Sequence, residues 1–137
     1  METYFRECKL FMSDIEQYLQ DEGKYFDVEH LTGPQGYVLK YLMTHSNKDI
    51  SFTEIEAYLK VSKSVTSNLI KRMVKNGFVI VESGRSDKRM KYIRLTDYGR
   101  SKAKNLKAFV DHISCIFLRG TTQEERDVAR HVIASIK

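Results

Sequence analysis

The sequence is poor in the residues that interrupt or cross-link a chain. It has one proline, no tryptophan and two cysteines in 137 residues. Proline removes a backbone donor and breaks helix interiors, so a lone proline leaves long stretches free to be helical. Cys8 and Cys115 make no CxxC pair and no disulfide framework, which fits a reducing compartment, the cytoplasm. No apolar run approaches the ~18 residues of a membrane span, so no membrane partner is expected. The first residues, Met1 to Glu7, lack a basic stretch followed by an apolar one, and no secretory signal is expected. His30, His45, His112 and His131 are scattered without HExxH spacing, so neither a metal site nor a cofactor is expected. There is no phosphate-cradling glycine loop, no nucleophile elbow and no carboxylate pair. An enzyme is therefore not expected.

What is present is charge in one place. The formal net charge is +5. Ten Lys and Arg against two acids, Glu82 and Asp87, lie between Lys60 and Arg94, while the rest of the chain has thirteen bases against sixteen acids. Such a concentration suits a polyanion-binding surface, although a solvated basic helix face would produce it too. Hydrophobic residues at 42% and charged residues at 30% supply the core of one domain and argue against disorder.

The apolar periodicity predicts a mainly helical fold with a small β-hairpin. Tyr4, Phe5, Cys8, Phe11, Met12, Ile15, Tyr18 and Leu19 form one stripe of a helix from Thr3 to Asp21 that Gly23 ends. Thr32-Gly-Pro-Gln35 has the form of a capping box with Pro34 in the first turn, and opens a second helix. Ser51-Phe-Thr-Glu54 opens a third, after one or two residues of strand at Ile50. A fourth runs from Ser62 to Asn76 and stops at Gly77. Only Lys60-Val61 separates the third and fourth helices, the signature of a helix-turn-helix. Phe78 to Val81 and Met90 to Leu95 then read as two strands around a polar turn, a hairpin placed as a wing. Thr96-Asp97 opens a long helix with a stripe of Ala103, Leu106, Phe109, Val110, Ile113 and Phe117. Gly120 breaks it, and Thr122-Gln-Glu-Glu125 caps a last helix carrying Val128, Val132 and Ile136.

The fourth helix buries Thr66, Leu69, Ile70 and Met73 on one face and offers Ser64, Ser67, Asn68, Lys71 and Lys75 on the other. Hydroxyls and an amide can read base edges in the major groove, and lysines meet phosphates. The candidate DNA contacts are Ser62, Lys63, Ser64, Ser67, Asn68, Lys71 and Arg72 on this helix. On the wing they are Arg85, Asp87, Lys88 and Arg89, with Lys91 and Arg94 adding charge on the returning strand. An arginine on a hairpin tip can enter the minor groove, where the negative potential is strongest.

The run Val61 to Val79 resembles the recognition segment of the MarR (multiple antibiotic resistance regulator) family, with its Ser/Thr-rich start, apolar ladder, Lys71-Arg72 pair and closing Gly77. The family's Asp-x-Arg wing resembles Asp87-Lys88-Arg89, and its Leu-Thr-x-x-Gly junction resembles Leu95-Thr96-Asp97-Tyr98-Gly99. The Leu31-Thr32-x-x-Gln35 helix start also matches. The resemblance implies a single domain over 1–137, with a winged helix-turn-helix lobe over 30–95 and dimerisation helices at 1–22 and 96–137. It implies a homodimer on near-palindromic double-stranded DNA, with Arg89 in the minor groove braced by Asp87, and Lys63, Ser64, Ser67 and Asn68 facing the major groove. Asn68 stands where the family often has Arg, which puts the base preference in doubt. The function implied is a ligand-responsive repressor.

The resemblance also implies a small aromatic or lipophilic effector near the junction of arms and lobe, where Tyr25, Phe26, Tyr37 and Tyr41 lie; Tyr37 and Tyr41 are the candidate pocket residues. Cys8 lies 27 residues before Gln35, the spacing of a reactive cysteine in the family's peroxide-sensing branch. The tyrosines that serve the thiolate there are replaced here by Glu22 and Gly33. A buried structural cysteine is the plain expectation, and a Cys8 redox sensor the alternative. A further alternative is an interaction module or antirepressor that keeps the fold without binding DNA.

Overall fold

The computed structural model describes residues 2–136. Met1 and Lys137, the outer limits of the two expected arms, lie outside the described residues. The elements are α1 (Glu2–Gly23), a 3-10 turn (Lys24–Phe26), α2 (Pro34–Thr44), β1 (Ile50–Ser51), α3 (Phe52–Leu59), α4 (Lys63–Lys75), β2 (Val79–Ser83), β3 (Lys91–Leu95), α5 (Asp97–Leu118) and α6 (Gln123–Ser135). The fold is mainly helical with a three-stranded antiparallel sheet in the order β1-β3-β2. Five pairs, from Val79–Leu95 to Ser83–Lys91, set the hairpin register, and Ile50–Ile93 ties β1 to its far side.

The core lies between the helix-turn-helix, the sheet and the first half of α5. Val38, Leu39, Ile55, Leu69, Ile70, Met73, Val79 and Ile93 are all buried there. Removing water from each such side chain contributes roughly 1.5–3 kcal/mol. The core therefore fixes α4 on its scaffold from the inner side.

Side-chain caps start four helices, but the expected set is not fully borne out. Thr122 and Glu125 make a reciprocal box, with the Thr122 N–H donating to Glu125 and the Glu125 N–H to Thr122. Ser51 accepts the Glu54 N–H, but the Glu54 carboxylate turns away to Lys48 and Tyr41, so only half of that box forms. The Thr32 box does not form: Gly33 is the N-cap, and no side chain caps it. Pro34 takes the first helical position, where its ring fixes φ, and so moves the start one residue past Thr32. Gln35 instead accepts a 3.2 Å hydrogen bond from the Asn76 amide, linking α2 to the end of α4.

Two glycines answer to geometry. Gly77 has φ +81° and reverses the chain from α4 into β2. At Gly99 a Cβ would lie 1.9 Å from the Phe78 carbonyl oxygen, so the first turn of α5 can rest on the start of β2 only without a side chain. Thr96 completes this joint. Its hydroxyl oxygen accepts the Gly99 N–H at 2.9 Å and its O–H reaches the Gly77 carbonyl at 2.6 Å.

The ends of the chain are built differently from the centre. Among the described residues α6 packs extensively on no other element, and α1 does so only on the adjoining 3-10 turn. The turn end of α1 is fastened, with the Tyr18 ring 5.8 Å from Phe117 and Glu22 3.6 Å from His112 Nε2. Further out, Tyr4, Phe5, Phe11 and Met12 are about two-thirds or more exposed, as are Val128, Ile133 and Ile136 of α6. The expected stripes exist, and within one chain they face water. Cys8 is likewise exposed, not buried, because the stripe it belongs to has nothing to pack against in one chain.

Candidate nucleic-acid interface

The turn between α3 and α4 is tight because Lys60 adopts a left-handed conformation, φ 55° and ψ 46°, and closes α3 with its N–H on the Glu56 carbonyl. Val61 donates to the same oxygen at 3.2 Å. Ser62 then starts α4 by accepting the Val65 N–H at 3.2 Å. That bond uses an acceptor lone pair of Ser62 and leaves its O–H free to donate. The N–H groups of Lys63 and Ser64, in the first turn, have no intrahelical acceptor, and the positive end of the helix dipole lies there. A phosphate at this end meets donors already aimed.

Thr66, Leu69, Ile70 and Met73 hold the inner face of α4, as the 3.6-residue period predicts. Lys63, Ser64, Asn68, Lys71, Arg72 and Lys75 are exposed on the remaining surface, and Ser67 is half-buried. Across from α4 the hairpin carries Arg85, Lys88 and Arg89 on its exposed turn. Asp87 organises that turn: its carboxylate accepts the Arg89 N–H at 3.0 Å, and its carbonyl accepts the Met90 N–H at 3.1 Å. The brace on Arg89 thus acts through the backbone and leaves the guanidinium free.

Between α4 and the hairpin runs an open groove of about 980 Å³. Lys63, Ser67 and Lys71 line one wall, and Arg89 and Lys91 the other. The rest of the lining was not anticipated from the sequence. Thr53 and Glu56 reach in from α3, and Val74, Ile80, Val81 and Met90 give the floor an apolar character. Among the described residues no ion pair involves Lys63, Lys71, Arg72, Lys75, Arg85, Lys88 or Arg89. Their charges are available to an external polyanion. Arg94, by contrast, is engaged by Asp49 and Glu82.

The aromatic residues divide between two places. Tyr41 stacks between His45, 4.1 Å away, and Tyr58, 4.6 Å away, and donates its O–H to Glu54 at 3.3 Å. This stack is on the α3 side of α2, with Tyr37 half in water. Glu54 is held below the usual carboxylate range, chiefly by its hydrogen bond from Lys48. Phe26 instead packs against α5, with its ring 5.5 Å from Phe109 and 5.1 Å from the His112 imidazole. One residue on, Asp27 pairs with Lys102 at 2.9 Å. Burial opposes the charge of Lys102, but Asp27 outweighs it and holds the ammonium above its ordinary pKa. No helix is long and apolar enough to cross a membrane among the described residues, and none of their His, Cys, Asp or Glu side chains gather in threes to hold a metal ion.

A family model described as "MarR family" matches residues 31–90, the stretch from the start of α2 to the wing turn. The chain is similar over nearly its whole length to heme sensor protein PefR from Streptococcus agalactiae in complex with heme. The identity is 40% and the TM-score 0.86, covering 99% of this chain and 92% of that one. Heme-free PefR gives 39% and 0.86, with 96% of each chain covered. The Staphylococcus aureus MepR–DNA complex is 19% identical with a TM-score of 0.80, covering 97% of this chain and 94% of that one, a likeness of fold. No curated protein sequence matches significantly.

Proposed function

The chain belongs to the MarR family of winged-helix DNA-binding transcription regulators, and from that premise we propose a homodimeric, ligand-responsive repressor that works in the cytoplasm on a near-palindromic operator. The observation that carries this reading is the groove. Among the described residues the recognition helix and the hairpin present eight cations without an ion pair on and around it, Lys91 included, with small polar side chains on the helix between them. In the proposed complex Ser64, Ser67 and Asn68 face base edges, Lys63, Lys71 and Arg72 meet phosphates with the Ser62 O–H, and Arg89 enters the minor groove with Arg85 and Lys88 beside it. No catalytic step is part of this function.

The unpartnered faces of α1 and α6 support the second copy. Each large apolar side chain covered there contributes roughly 1.5–3 kcal/mol. A two-fold pair sets two recognition helices on one face of the duplex, about one helical turn apart. Cys8 lies on the same stripe, so the dimer would cover its thiol.

For the ligand, the heme-sensing relatives at about 40% identity point to heme. Residues of this chain fit the group. An iron porphyrin needs an apolar wall and a side-chain ligand, of which histidine is one. Of the four histidines, His112 is the one whose ring lies on the arm against Phe26, which in turn meets Phe109. His112 Nε2 faces Glu22 at 3.6 Å, a carboxylate that an iron bound there would displace, whereas His45 holds the Tyr41 carbonyl through Nδ1 and lies in the separate stack with Tyr41. Heme, when bound, would supply a Lewis-acidic iron; His112 would hold it through its imidazole, with Phe26 as the apolar neighbour. Tyr37 and Tyr41 remain the second candidate surface, for a smaller aromatic effector.

The test is a mobility shift on the DNA upstream of the chain's own gene, with scrambled competitor, repeated with heme. The reading requires a shift that survives the competitor and is reduced by heme, and a heme absorption spectrum altered in His112→Ala. Absence of any specific shift at low salt would favour the interaction-module alternative. A specific shift indifferent to heme would retain the repressor and discard the ligand.

A further inference from the structure

Arg94 is one of the ten cations that make the 60–94 segment basic, and on charge alone it belongs with the phosphate-binding groups. Its geometry says otherwise. Nη2 donates to Asp49 at 2.7 Å, and Nε donates to Glu82. These two acids come from opposite sides of the central strand. Glu82 is on β2, paired in register with Tyr92, while Asp49 immediately precedes β1, whose Ile50 pairs with Ile93. One guanidinium on β3 therefore links β2 to the residue that leads into β1.

We propose that Arg94 is a positioning residue for DNA binding: it fixes the wing relative to the recognition helix and touches no phosphate of its own. The proposal rests on the DNA-binding reading above. Three physical points carry it. First, the outer part of the hairpin needs an anchor: Val79 and Ile93 root its base in the core, but Ile80 to Ser83 are exposed. The hairpin has five residue pairs, and a two-stranded ribbon of that size is marginal alone in water. Its only other strand neighbour among the described residues is the two-residue β1. Second, an isolated exposed ion pair contributes little, but a fork with donors aimed at two separate carboxylates is a small network, and this is geometry that a lysine point charge does not reproduce. Third, the bridge offsets one of the two negative charges of Asp49 and Glu82 and holds both carboxylates in place. Without it, two carboxylates would be left uncompensated on the sheet that carries the minor-groove arginine.

The two roles differ in what salt does. Each phosphate that a variant no longer neutralises lowers the slope of log K against log salt by about 0.9, so one fewer per protomer lowers it by about 1.8 for the dimer. A positioning residue lowers affinity and leaves the slope in place. The experiment measures operator binding across a salt series for the wild-type dimer, Arg94→Met, Arg94→Lys and, as the phosphate-binding reference, Lys71→Met. Hydrogen exchange of the free proteins is recorded alongside. We expect Arg94→Met to weaken binding about three- to tenfold at unchanged slope. Arg94→Lys should fail to restore it, and amides 84–90 should exchange faster while those of α4 and α5 stay protected. A slope lower by about 1.8 in Arg94→Met overturns the proposal, as does unchanged affinity, full rescue by Arg94→Lys, or wing exchange equal to wild type. If the wild type itself shows no salt-sensitive specific binding, the DNA-binding reading has failed instead, and the exchange data still report whether Arg94 holds the wing.

Discussion

Replacing Gly99 by alanine should loosen the joint between the DNA-binding lobe and the long arm helix. A Cβ at that position would lie 1.9 Å from the Phe78 carbonyl oxygen and 2.8 Å from its carbon, both backbone atoms without rotamers to yield. Ordinary carbon–oxygen contacts begin near 3.3 Å, so α5 and β2 must separate by about 1.4 Å. That displacement stretches the Thr96 N–H bond to Phe78, now 3.0 Å, and the Thr96 hydroxyl bond to Gly77, now 2.6 Å. Two hydrogen bonds at about 1 kcal/mol each, with about 1–3 kcal/mol of overpacking, oppose at most about 1 kcal/mol gained from alanine's helix preference. The net expectation is a loss of about 2–4 kcal/mol. Urea unfolding followed by circular dichroism at fixed protein concentration measures it, with Ser101→Ala, exposed in the same helix, as the control. Gly99→Ala as stable as wild type, or more stable, would refute the close-approach argument.

Asn68→Ala should change the ranking of single-base operator variants, whereas Arg89→Ala should weaken all of them alike; equal uniform losses in a binding panel would contradict the separate roles. Phe11→Glu combined with Val132→Glu should shift the protein from dimer to monomer in sedimentation velocity, since both lie exposed on the unpartnered faces of one chain; an unchanged dimer would place the interface elsewhere. Lys102 has a raised pKa in the folded state, so its pair with Asp27 contributes stability below lysine's ordinary value of about 10.4 and loses it as the pH rises through the higher folded value. Thermal unfolding of Lys102→Met should therefore fall short of wild type at neutral pH and converge with it in strong alkali; a constant gap would deny the linkage.

Much of this architecture was legible because it is written in local periods. The 3.6-residue ladder of Leu69, Ile70 and Met73, the glycine at 77 and the switch to Val79-Ile80-Val81 are each visible within a few residues. The candidate surface followed, since the outward residues of α4 are what the ladder leaves over. Three features were not legible. The failed cap at Thr32 turned on Pro34 claiming the first helical position, a competition between two start signals. The place of Tyr41 depended on His45 and Tyr58, hence on how α2 meets α3. Arg94 and Glu82 lie close on adjacent strands, a relation the hairpin register could have suggested, but Asp49 is 45 residues away in sequence and no local pattern announces it. Long-range ion pairs among exposed side chains leave no periodic trace.

The central claim is that α4 and the wing tip together bind the phosphate backbone. Its most direct test is the salt dependence of operator binding by the wild type and by the double variant Lys71→Met, Arg89→Ala. The dimer then has about four fewer cations in its grooves, so the slope of log K against log salt should flatten by about 3.6. A slope that stays at the wild-type value, with affinity intact, would contradict the account and move the DNA-binding surface off this groove.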